Sequence, residues 1–256
     1  MTETIERTAL EVLHVGGPTV RFRYGGSTWL TDPTFDAPGD YDYGPITLHK
    51  LTGPAISVEE VGAVDVVLLS HDQHADNLDT AGRAFLTTVD TVFSTTDAAT
   101  RVDGVRGLRV WESAQVGAVT VTAVPALHGP EGCEPFSGAV TGFVLEAAGE
   151  PTVYVSGDNA SVELVGEIAG RFERIDVALL SVGAGNVGRF GDTDITLNAR
   201  TAVQAAKALG EAVIVPVHGE GWAHFTETLD HLARVFDYAG LAGRLRIPPA
   251  GQVVAV

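Results

Sequence analysis

Apolar positions follow two patterns along the chain. In the first third they are broken up by polar residues and glycine pairs. LEVLHV (10–15), TVRFRY (19–24) and STWLTD (27–32) are rich in β-branched and aromatic residues, and GGP and GGS separate them, which predicts short strands joined by turns. Elsewhere the apolar runs are continuous. VDVVLLS (64–70), IDVALLSV (175–182) and AVIVPV (212–217) have the signature of strands buried on both faces. Further strands are expected around 91–94, 107–111, 116–124, 138–147 and 151–155, and helices near 77–86 and 160–169. Residues 197–209 place Ala199, Ala202, Val203, Ala206 and Leu209 on one helical face. Phe225, Leu229, Leu232, Ala233 and Phe236 form a second stripe of the same kind. The stretch from Pro33 to about Ser57 is expected to be a long functional loop. Strands first and β-then-α units afterwards predict a layered α/β architecture.

Composition narrows the function. The 256 residues permit one large domain or two small ones. No apolar stretch approaches eighteen residues, and MTETIERTAL lacks an apolar signal core, so a cytoplasmic protein with no membrane span is expected. The single cysteine, Cys133, excludes an internal disulfide and multi-thiolate zinc sites, so any metal must be held by His, Asp or Glu. A formal charge of −17 argues against a nucleic-acid partner. A small-molecule substrate is expected, and a homo-oligomer is left open.

The candidate chemistry lies at strand ends. VVLLS leads into His71 and His74, VTAVPAL into His128, VIVPV into His218, and TVYVSG into Asp158. Strand ends on one edge of a sheet converge on one crevice. The densest cluster is SHDQHADNLD (70–79), with two imidazoles three residues apart and Asp76 two residues on. Neutral imidazole and carboxylate suit Zn, Mn or Fe. The simpler reading makes Asp76 the cap of a helix starting near Asn77, with Asp79 in its first turn and the histidines as polar loop residues.

Six segments in order, LEVLHVGGPTVRF, LTDPTF, VDVVLLSHDQHADNLD, VPALHGP, VYVSGDN and VIVPVHGEGWAHF, resemble the metallo-β-lactamase-fold hydrolases. Within them the chain is most similar to the branch of ascorbate-6-phosphate lactonase-like proteins. The resemblance spans nearly the whole chain and implies one domain over 1–256 with a four-layer αββα sandwich and metals at one edge between two sheets. The family's first motif is His-x-His-x-Asp-His. Here His71 matches the first histidine, His74 takes the second place across a one-residue bulge with Gln73 as competitor, and Asn77 replaces the last histidine. Carried over, one site holds His71, His74, His128 and a shared Asp158. The other holds Asp76, Asp158 and His218, one ligand short. One or two divalent ions are implied: Zn or Mn, with Fe as a further choice.

The implied activity is a metal-dependent hydrolase, using metal-activated hydroxide on a small ester, lactone or phosphoester. A metallophosphodiesterase and a non-catalytic ligand-binding member are the alternatives. Asp76 is expected to orient the nucleophile and relay a proton. His224 is weighed as a proton donor or anion binder against a helix-start role beside Thr226. Asp32 is read either as an acceptor behind a metal-ligating imidazole or as a turn residue. His14 is read as structural and Cys133 as incidental. The Gly-rich stretch 181–194 is expected at the mouth of the site, with Arg189 as a candidate for an anionic group. Tyr41, Tyr43, His49 and Lys50 are candidate pocket residues, most of them expected at the surface.

Overall fold

The computed structural model of the chain describes residues 9–256. The glycine-punctuated strands form an antiparallel meander of β1 (Glu11–Gly16), β2 (Thr19–Tyr24) and β3 (Ser27–Thr31). The segment expected as a long loop is partly ordered. It forms a hairpin of β4 (Gly39–Asp42) and β5 (Thr47–Lys50), followed by a short helix α1 (Val58–Val61) closed by a Ser57–Glu60 capping box. Next come β6 (Val66–Leu68), α2 (Thr80–Leu86), β7 (Thr91–Thr95) and β8 (Val105–Leu108), with β3, β6, β7 and β8 parallel. Helix α2 starts later than the apolar spacing suggests, because Asp79 rather than Asp76 caps it: the Gly82 N–H donates to Asp79 Oδ1 at 2.8 Å. Asp76 is thereby free of the capping role.

The stretch expected as one strand over 116–124 is a hairpin of β9 (Ser113–Val116) and β10 (Val119–Pro125). It turns at Gly117, whose φ of +56° favours glycine. The chain continues through α3 (Glu134–Ser137), β11 (Thr141–Glu146), β12 (Val153–Val155), α4 (Val162–Arg171), β13 (Val177–Ser181), α5 (Ala199–Ala208), β14 (Val213–Val217) and α6 (Leu229–Tyr238). A final strand, β15 (Val253–Ala255), returns to pair with β1. The sheets run β15-β1-β2-β3-β6-β7-β8 and β14-β13-β12-β11-β10-β9.

Which faces are apolar decides the layering. Val12, Phe22 and Trp29 of the first sheet meet Val121, Phe143 and Leu179 of the second in one buried cluster between them. The outer face of the second sheet packs Tyr154, Ala178 and Ile214 on Val165, Ala202 and Phe236 of α4, α5 and α6. The outer face of the first sheet packs Leu30 and Val67 on Val61 and Phe85 of α1 and α2. The result is an αββα sandwich with helices covering both outer faces. Four non-glycine residues among those described have positive φ: Asp32 (30°), Ala184 (51°) and His218 (53°), which follow β3, β13 and β14, and Trp111 (68°), which follows β8. Backbone strain of this kind costs about 1–3 kcal/mol per residue and collects where function fixes the geometry.

Candidate metal centre

The strand ends converge as their sequence contexts suggest. His71 follows β6, His128 follows β10, Asp158 follows β12 and His218 follows β14, and all four side chains are buried. His71, His74 and His128 form a triangle, with ring centroids 4.9, 5.3 and 5.2 Å apart. His71 Nε2 lies 3.0 Å from His74 Nδ1. Beside them stand Asp76, Asp158 and His218. Within each trio one ligand atom per residue lies within 4.8 Å of the others. Asp158 joins the trios: Oδ1 is 2.8 Å from His218 Nδ1 and Oδ2 is 3.8 Å from His128 Nε2.

Surrounding groups orient these candidate ligands. His128 Nδ1 donates to the Ile195 carbonyl at 2.8 Å, which fixes the proton on that nitrogen and leaves the Nε2 lone pair facing the trio. His71 Nδ1 lies 2.9 Å from Ser70 Oγ. Ser70 is held in turn by its N–H donating to Asp32 Oδ1 at 2.6 Å. Asp32 therefore reaches the His71 imidazole through Ser70 and not by direct contact. Asn77 turns its NH2 to Asp32 Oδ2 (3.4 Å) and Ser70 Oγ (3.3 Å), and its buried Oδ1 has no hydrogen-bond partner. Gln73 accepts the Asp72 N–H and packs against Gly138, so His74, not Gln73, joins His71 and His128.

The electrostatics suit cation binding. Burial pushes His71 well below its ordinary value and His74 down to about 4, so both offer neutral lone pairs. Burial alone would raise Asp76 and Asp158. Contacts with His218 and His224 hold Asp76 well below the usual carboxylate range, and His218, His128 and His71 do the same for Asp158. Burial would depress His218, but Asp158 and Asp76 push it up to about 10, so in the metal-free protein a proton stands between these groups that a cation would displace on binding. Asp76 Oδ1, both Asp158 oxygens and both His218 nitrogens are buried without hydrogen-bond geometry to any partner, despite the short ion-pair distances. Orphaned polar atoms this concentrated call for an ion. Three imidazoles beside two carboxylates and an imidazole fit Zn, Mn or Fe.

The remaining candidates separate. His224 Nε2 is 3.1 Å from Asp76 Oδ2, packed against Phe225, and does not start a helix, since Thr228 caps α6. His14 is spent on the Gly17 carbonyl at 3.0 Å. Cys133 is buried, and burial raises its thiol, so it is inert. Lys50 is buried on Asp79 and is not a surface residue, whereas His49 is exposed beside Asp40. Tyr43 lines the site, and its hydroxyl accepts the Ala75 N–H at 2.7 Å. Sequence reasoning passed over Phe136 and Phe190, the apolar rim of the cavity. The only signal available was a large aromatic residue in an otherwise polar, glycine-rich stretch.

The site opens into a cavity of about 310 Å³, with His74, Asp76, His128 and His224 among the residues lining it. Among the described residues no helix is long and apolar enough to cross a membrane. The sequence model of the β-lactamase superfamily domain matches residues 28–219. A UPF0173 metal-dependent hydrolase of Pelotomaculum thermopropionicum is 31% identical over 186 residues, covering 67% of this chain and 75% of its own. The isothiocyanate hydrolase from Delia radicum gut bacteria superposes with a TM-score of 0.83 at 22% identity, over 96% of this chain and 99% of its own. Igni18, a metallo hydrolase from Ignicoccus hospitalis, does so with a TM-score of 0.73 at 21% identity, over 97% and 99%. The sandwich, the two candidate ligand trios and a match over most of the chain converge, and the chain belongs to the β-lactamase superfamily, as a metal-dependent hydrolase of the metallo-β-lactamase fold.

Proposed function

We propose that the chain hydrolyses a small ester or lactone, with His71, His74, His128 and Asp158 holding one divalent cation and Asp76, Asp158 and His218 a second. The observation that carries this reading is the pair of adjacent ligand trios joined through Asp158 at the floor of an open cavity. When bound, such cations acidify water and polarise the oxygen of an electrophile. The chain's own groups supply orientation and proton handling. Ser70 and the Ile195 carbonyl hold His71 and His128 in register. Asp76 faces the cavity with an unpartnered Oδ1 and is placed to accept a proton from the attacking water. His224, paired to Asp76 Oδ2 and bordering the cavity, is placed to return a proton to the leaving oxygen.

The test combines metal content with turnover. Mass spectrometry should find close to two equivalents of Zn, Mn or Fe in the wild type, and the His71→Ala/Asp158→Ala double variant should lose metal and turnover together. The panel is lactones, aryl esters, bis(p-nitrophenyl) phosphate and, because a hydrolase of similar fold acts on one, an isothiocyanate. An active, metal-loaded double variant would sink the site assignment. A fully loaded wild type inert toward the whole panel would sink the hydrolase reading.

A further inference from the structure

The walls of the cavity differ in kind from its floor. The floor is polar and titratable. The walls are largely apolar: Ile46 and Leu48 from the β4–β5 hairpin, Phe136 from α3, Val187 and Phe190 from the Gly-rich stretch, and Ile195 just after it. Phe136 and Phe190 meet edge to face, with centroids 6.2 Å apart. Phe136 is 61% exposed, a large apolar surface left at the rim of a cavity. A large aromatic side chain left exposed at the mouth of an apolar-walled cavity fits a ligand-binding site.

Charge is distributed against an anionic ligand. Arg189 is the one Lys or Arg among the described residues lining the cavity. It sits on the exposed rim, and its Nη1 donates to the Phe136 carbonyl at 2.8 Å. That bond ties the Gly-rich stretch to α3 and draws the two rim phenylalanines together. Lys50, the nearest buried ammonium, is held by Asp79 and lies outside the lining. The whole chain carries −17. Away from the floor, a phosphate or carboxylate substituent would meet largely apolar walls and, at the exposed rim, an Arg189 already bonded to the Phe136 carbonyl, so its desolvation would be poorly offset.

We infer that the substrate is an uncharged molecule whose non-reacting part is an aromatic or branched apolar group, seated between Phe190 and Phe136 on one side and Ile46 and Leu48 on the other. Phe136 and Phe190 are specificity-determining residues, and Arg189 is a latch that positions them. The inference rests on the hydrolase reading only for the bond that is cleaved. A cavity of about 310 Å³ lies at the small end of ligand sites, so one ring or a short branched chain fills it.

The experiment uses metal-loaded protein and two readouts. The first is kcat/KM for p-nitrophenyl esters of increasing acyl length, each paired with an ester of equal length ending in a carboxylate. The second is calorimetric binding of the matching uncleavable amides. Each added methylene should raise kcat/KM and affinity about fourfold until the cavity fills. The terminal carboxylate should lower both at least tenfold. Phe190→Ala should flatten the length dependence and cost the longest neutral ester roughly tenfold, mainly in KM, whereas Phe190→Leu should retain most of it. Arg189→Ala should leave the carboxylate penalty in place. A flat length series, or a preference for the carboxylate esters that disappears in Arg189→Ala, would overturn the inference. Amide binding with the expected pattern but no ester hydrolysis would keep the inference and defeat the hydrolase reading. Absence of both binding and hydrolysis would defeat the inference itself.

Discussion

Asp79 holds together the segment that carries the histidines, and its removal has a magnitude that follows from its partners. Its Oδ1 accepts the N–H groups of Phe35 (3.0 Å) and Gly82 (2.8 Å). Its Oδ2 accepts the Asp36 N–H (2.7 Å) and Lys50 Nζ (2.8 Å). Both side chains are out of solvent, 0% exposed for Asp79 and 4% for Lys50. Asp79→Asn keeps one oxygen for Phe35 and Gly82, but turns an NH2 group toward an ammonium and an N–H. It leaves a buried cation uncompensated, at about 3–5 kcal/mol. Lys50→Met removes the cation and leaves Asp79 three N–H donors and a helix N-terminus, so the cost falls to about 1–3 kcal/mol. Against a stability of about 5–15 kcal/mol for an ordinary domain, the first change is a large loss and the second a moderate one. Urea unfolding of the four corners of the cycle is the assay, read as midpoint at unchanged slope. The double variant should be less damaged than Asp79→Asn alone, with a coupling of about 1–3 kcal/mol. Equal costs for the two single variants, or a double variant equal to their sum, would refute the assignment of Asp79 as a buried counter-ion.

Asp32 should make the metal-free protein pH-sensitive. Burial, opposed by the Ser70 N–H and reinforced by Asp158, pushes its carboxyl from 3.8 up to about 7. The folded form then holds this proton more tightly than the unfolded chain. The stabilisation is complete below about pH 4, declines as pH rises and is gone above about pH 7, a span of roughly 4 kcal/mol. Asp32→Asn should remove that slope from unfolding midpoints measured across the range; an unchanged slope counts against it. Tyr43→Phe deletes the acceptor of the Ala75 N–H and should cost about 1 kcal/mol while weakening metal retention during dialysis, since it frees the 71–77 segment. Retention equal to wild type would show that the hairpin does not support the centre. At Gly82 an added Cβ would collide with the Pro33 carbonyl, so Gly82→Ala should lose about 3 kcal/mol despite the better helix propensity of alanine. A stabilised Gly82→Ala protein would contradict that contact.

Much of the candidate centre is legible in the sequence because it sits where buried strands stop. A continuous apolar run such as VDVVLLS or AVIVPV announces both its own burial and the rim at which polar residues resume, and His71, His128, Asp158 and His218 stand at those rims. The β4–β5 hairpin was not legible. GDYD and TLHK carry little apolar alternation, and what orders them is distant: Lys50 on Asp79 and Tyr41 packed at a tilt on Trp222. Strand β15 is three residues long and is specified by the edge of β1, which no local pattern reveals. The helix boundary at α2 was misplaced because Asp76 and Asp79 are equally good caps in sequence. The choice between them is made by the Pro33–Asp36 backbone, which delivers its N–H groups to Asp79.

That choice explains how one ten-residue segment supports a reactive carboxylate among inert ones. SHDQHADNLD contains three aspartates, and each meets a different cation. Asp72 takes a bidentate guanidinium from Arg101, at 3.0 and 2.7 Å. Asp79 takes the Lys50 ammonium and three backbone N–H groups. Partners of those kinds keep their charge across the physiological range, so Asp72 and Asp79 are held immobile by them. Asp76 alone is given imidazoles, His218 at 3.3 Å and His224 at 3.1 Å, and one of its oxygens is left without a partner. An imidazole that gives up its proton can itself bind a metal, which guanidinium and ammonium cannot. The other two aspartates lock the segment at both ends. Asp76, held between them by the fold and not by its own hydrogen bonds, keeps the open valence that a cation or a proton in transit requires.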